Sequence, residues 1–109
     1  MTVINELEQH VEQLQTLVEK RDLAIKLEKN REFKKLILDE FCVNECARYA
    51  QASADPSLKA DERADALALA QASGHLRRYL SVVVQMGNQA ESEINQTKEA
   101  IEQARVEEA

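Results

Sequence analysis

The stretch FCVNEC, residues 41 to 46, holds the chain's two cysteines, Cys42 and Cys46, four positions apart. Thiols at that spacing invite three readings: zinc ligation, redox pairing, or two small side chains facing a core. On a regular helix, residues four apart share a face, but their rotamers do not bring the two sulfurs into disulfide geometry. A closed zinc site needs four well-placed ligands. If the chain folds back on itself, His75 falls about one turn from Cys42, and Asp39 is the nearest candidate for a fourth ligand. The expected role is the plain one, since a free cysteine packs as a small buried hydrophobe. No metal and no cofactor is expected.

Other chemistry has less to stand on. His10 and His75 lie far apart along the chain, no glycine-rich phosphate loop occurs, and no nucleophile has a base beside it. Carboxylates such as Glu91, Glu93, Glu99 and Glu102 are spaced as solvated helix faces. No enzymatic activity and no small-molecule substrate is expected. HLRRYL, residues 75 to 80, is the one compact basic and aromatic feature, but the net charge of −6 opposes a phosphate backbone, so no nucleic-acid partner is expected. Leu76 and Leu80 fit a packing seam, Arg77 and Arg78 are expected to pair with Asp39, Glu40 or a partner's carboxylates, and Tyr79 stands at the rim.

The elements that must position these residues are helices. With 44% hydrophobic, 4% aromatic and 31% charged residues, one Pro and two Gly in 109 residues, the composition is that of long helical segments. Leu69, Ser73, Leu76, Leu80, Val83, Gly87, Ala90, Ile94, Thr97, Ile101 and Ala104 alternate by four and three, a heptad seam. Ile4, Leu7, Val11, Leu14, Val18 and Ile25 repeat the pattern, with Arg21 as a charged intruder and Thr2 as the N-cap. Between them, Phe33, Leu36, Ile37, Phe41, Cys42, Ala47 and Ala50 form a broader apolar stripe. Asn30 can cap a new helix at Arg31, but no Gly or Pro forces an interruption, so a kink and a short break are equally open there; Pro56 in SADPS marks the one clear turn.

These signals predict an all-α fold: a long antiparallel helical hairpin of two or three helices with coiled-coil-like flanks, turning near residues 53–58. The single helical domain, 1–109, would comprise helices over 1–29, 31–53 and 59–107. Facing residues should have numbers summing to roughly 113, so that Phe33 and Phe41 meet Leu80 and Ala72, large against small. A compact three-helix bundle is the competing arrangement. No stretch has the pattern of a signal peptide or the length of a membrane span, which predicts a non-secreted protein of a reducing compartment without a membrane partner.

So slender a chain buries little by itself, which predicts association. Phe33, Leu38, Phe41, Val43, Arg77, Arg78 and Tyr79 are the candidate partner-binding residues. The segment EFKKLILDEFCVNECARYAQASADPSLKADERADALALAQASGHLRRYL resembles small helical proteins of tailed bacteriophages encoded in the head and tail assembly gene regions. The resemblance spans about residues 30–82 and lies in pattern: a Phe-Lys-Lys-Leu-Ile helix, an Asp-Pro break and a second helix with Leu-Arg-Arg-Tyr-Leu. Arg31 stands where a helix-breaking Pro would fit that pattern better. The resemblance implies a structural or assembly protein that packs against itself and a larger component such as a portal, scaffold, capsid or tail protein. It would act in the cytoplasm of the infected host and in the virion. A regulatory adaptor that lays a helix on a host protein is the alternative.

Overall fold

The computed structural model describes residues 2–109, and these form an all-α fold. Helix α1 runs Val3–Lys29. A short α2, Arg31–Phe33, leads into a π-helical segment, Lys34–Glu45, and then into α3, Cys46–Ser53. Helix α4 spans Ala60–Glu108 without interruption. The chain divides into two compact units, one formed by the residues up to Ile25 with Val82–Ala109, the other by Lys26–Ser81.

The helix ends follow from local chemistry. Thr2 Oγ1 accepts the Asn5 backbone N–H at 3.1 Å and so caps α1. At the other end Lys26 and Lys29 sit in the last turn, where positive charge suits the helix dipole. Asn30 is extended, with φ −66° and ψ 125°, and its side chain accepts the Phe33 N–H at 2.8 Å. A cap of this kind is worth about 1 kcal/mol, which is how the chain breaks here without Gly or Pro. After Ser53, the Asp55 carboxylate takes both the N–H of Ser57, at 2.9 Å, and its hydroxyl, at 2.7 Å. These bonds hold its pKa below the usual carboxylate range, with Arg63 adding to the effect. Asp55 therefore closes the turn on itself rather than capping α4, whose first turn carries Asp61 and Glu62 instead.

The first unit is an antiparallel helix pair, α1 against the C-terminal half of α4. Leu14, Val18, Ala90 and Ile94 form its buried cluster, with Val11 and Leu17 packed against it. Thr97 and Ile101 continue the buried line. Across the pair Arg105 Nη2 meets Glu8 Oε1 at 3.0 Å, and His10 Nε2 meets Glu93 Oε1 at 2.8 Å. Arg21 crosses at Gly87. A Cβ built on Gly87 would collide with Arg21 Cβ and stand 2.8 Å from its Cγ and Cδ, so only glycine admits the arginine. The guanidinium then reaches Asn88 Oδ1 at 3.1 Å and Glu91 Oε2 at 2.5 Å. The intruder in the apolar pattern is thus accommodated by a gap on the opposite helix, and its charge is answered beside it.

In the second unit Cys42, Ala66, Ser73 and Leu80 are buried. The C-cap of the π segment bonds five residues back, Cys46 N–H to Phe41 carbonyl, and this wider winding changes which residues share a face. An α-helix turns once in about 3.6 residues, so a face repeating every four drifts steadily around it. The covered positions here do repeat every four: Phe33, Ile37, Phe41, Glu45 and Tyr49, beside Leu38, Cys42 and Cys46. Three residues expected on the covered stripe, Leu36, Ala47 and Ala50, are accordingly exposed. Leu69, assigned to the seam of α4, is also exposed.

Candidate functional site

The two thiols face the N-terminal half of α4. Cys42 Sγ lies 3.9 Å from the Ser73 carbonyl oxygen, and Cys46 Sγ lies 3.6 Å from that of Ala70. Their position sums of 115 and 116 stand close to the register expected from the central turn. Both cysteines are free; Cys42 is buried and Cys46 half-buried. Ser73, also buried, donates its hydroxyl to the Ala70 carbonyl at 2.8 Å, so this polar group costs the interface little. His75 and Asp39 are exposed, and no cluster of three metal-ligating side chains occurs among the described residues. Both thiols pack against the backbone of α4 at the Ser73 and Ala70 carbonyls.

Burial pushes the Cys42 thiol above its ordinary pKa, and the nearby Arg77 opposes this only in part. The thiolate is the reactive form, so Cys42 should alkylate more slowly than Cys46 with iodoacetamide near pH 8.5, and its rate should still be rising where an exposed thiol has levelled off. Mass spectrometry of the two labelled peptides over a pH series checks this. Equal rates would mean that the interface opens faster than the reagent reacts.

The candidate partner-binding residues all fall in the second unit, but they do not make one surface. Phe33, Leu38 and Phe41 are half-buried and belong to the internal packing. Val43 and Tyr79 are largely exposed, as are Arg77 and Arg78. The expected pairing of those arginines within the chain is not present: no ion pair joins Arg77 or Arg78 to Asp39 or Glu40 among the described residues, and Glu40 instead accepts from the Asn44 amide at 3.0 Å. Glu45 is taken by Arg48, which also stacks on the Tyr49 ring at 4.6 Å from its centroid. The hydrogen bond from Arg48 holds the Glu45 carboxyl below its usual range.

Leu36 is one of the exposed apolar residues that the helical pattern misplaced. It is 65% exposed and lines a shallow groove with Glu32, Lys35 and Glu40. The signal was present in the four-residue repeat of its covered neighbours, which places Leu36 on the opposite side of the segment. No helix among the described residues is long and apolar enough to cross a membrane. Comparison with protein-family models, curated proteins and solved structures found no match to this chain.

Proposed function

We propose that this chain is a non-enzymatic structural or assembly protein of a tailed bacteriophage, acting through helix packing with itself and with a larger virion component. The observation that carries the reading is the set of large apolar side chains left in solvent on the second unit: Leu27, Leu36, Val43, Leu67, Leu69 and Tyr79. Side chains of this size placed outward on helices are surface for another helix. The pattern resemblance of residues 30–82 to phage assembly proteins supplies the biological setting. The ionisable side chains support a scaffold more than a catalyst. They pair one with another, Glu8 with Arg105 across the helix pair and Glu45 with Arg48 along one helical run, rather than converging on a common point.

The experiment is a density gradient of particles from infected cells, probed for this chain. Co-sedimentation with heads, tails or assembly intermediates is the expected result. A chain found only at the top of the gradient, recovered with a single host protein, would favour the regulatory adaptor instead.

A further inference from the structure

The helical run that begins at Arg31 carries a surface with nearly the same pattern from either direction. About the midpoint between Ile37 and Leu38, exposed Glu32 mirrors exposed Val43, Lys35 mirrors Glu40, and Leu36 mirrors Asp39. Covered positions mirror covered ones as well, Phe33 with Cys42. Lys34, exposed, against half-buried Phe41 is the exception.

We infer that this face receives the same face of a second copy, antiparallel across a two-fold axis between Ile37 and Leu38, with Lys35 of each copy paired to Glu40 of the other. The inference rests on the reading of the chain as a packing protein and names the surface by which its copies meet. A two-fold contact requires a self-complementary patch, since whatever one residue meets must meet it in return. About this axis Lys35 of each copy comes level with Glu40 of the other, which supplies that complementarity, while Lys34 comes level with Phe41 and Leu36 with Asp39. Antiparallel copies lay lysine on acid twice over, whereas parallel copies lay like on like. Leu36, level with Asp39 of the second copy, lies over the groove that Glu32, Lys35, Leu36 and Glu40 line there. Exposed ion pairs are worth little individually, so Lys35 and Glu40 set direction while Leu36, next to the axis, supplies the apolar contact.

The distribution of charge along the chain points to the same unit. Lys26–Ser81 holds ten Lys and Arg against nine Asp and Glu, a net of +1. The remaining residues hold four against eleven, a net of −7. Copies brought together along the acidic unit repel, while the nearly neutral unit offers no such barrier.

Size exclusion with light scattering on the full chain tests this. The parent should show the mass of a dimer. K35E and E40K should each raise the dissociation constant about tenfold, because each change turns two attractive contacts repulsive, and K35E/E40K should restore the parent value. L36D should give a monomer, and V106D, an exposed apolar position outside the face, should leave the dimer intact. Circular dichroism on each variant separates lost association from lost folding. A parent that stays monomeric at every accessible concentration overturns the inference, as does a dimer indifferent to L36D or a double variant no tighter than the singles. Particle association is measured separately, so a monomer that still co-sediments with particles defeats the self-contact and leaves the assembly role standing.

Discussion

A Gly87→Val chain should unfold at a clearly lower urea concentration than the parent, with a loss of about 3 kcal/mol, at the upper end of what over-packing a tight contact costs. Two properties of the contact put it there. The colliding atom is Arg21 Cβ, which cannot swing away as the end of a long side chain can, so the two helix backbones must part. Parting them also draws the Arg21 guanidinium away from Asn88 and Glu91, which it now reaches at 3.1 and 2.5 Å. Alanine adds the same offending Cβ, but it gains up to about 1 kcal/mol in helix propensity over glycine, so Gly87→Ala should be milder. Rescue distinguishes a clash from a general weakness of the helix. Arg21→Ala keeps the Cβ and should recover little, whereas Arg21→Gly removes the three atoms nearest to the new Cβ. A double-mutant cycle by urea denaturation should therefore give a coupling of about 1–3 kcal/mol for the glycine exchange. A cycle that closes with simple additivity would show that the helices have moved apart without strain.

The second large effect is expected at Ile94. It is buried with Leu14, Val18 and Ala90 in the cluster that joins α1 to α4, and truncation to alanine removes most of one side of it. Such truncations cost about 2–5 kcal/mol, a large share of the roughly 5–15 kcal/mol by which folded domains are stable. The midpoint in urea should fall while the slope stays the same, because the surface exposed on unfolding hardly changes. Asn95→Ala, one position further and exposed, should stay within about 0.5 kcal/mol of the parent. Equal losses at the two positions would mean that α4 is stabilised by its own backbone and not by burial against α1.

Much of this architecture was legible in the amino-acid order because helices announce their ends and faces locally. Thr2 and Asn30 cap where short polar side chains precede apolar periodicity, and the buried residues of α4 from Ser73 to Ile101 follow the heptad. The hairpin followed from one proline between two long helical stretches, and it brought Cys42 and Cys46 onto α4 within a few residues of the expected register. What escaped depended on quantities that spacing does not contain. Arg21 would have been placed level with Ser92 by the uniform register, whereas it meets Gly87, more than a turn away. The central stripe was read at α-helical period, and only the four-residue repeat from Phe33 to Tyr49 hinted that the winding was wider. Leu36 consequently moved from the core to the surface. Arg77 and Arg78 are not paired with Asp39 or Glu40 within the chain for a different reason: exposed charges gain too little from pairing for sequence proximity to fix their geometry.

The gap at Gly87 also decides how the two helices of the first unit can be aligned. A heptad seam is nearly indifferent to sliding by seven residues, since apolar positions again meet apolar positions after each slip. In α4 the positions seven residues either side of Gly87 are Leu80 and Ile94, and neither leaves room for an arginine stem against its backbone. A helix pair caught one heptad out of step would have Arg21 pressed on a branched side chain with its charge far from Glu91. One residue of the largest kind and one of the smallest thus remove the alternatives that the repeating pattern would otherwise permit. A slip of one heptad in either direction is thereby disfavoured.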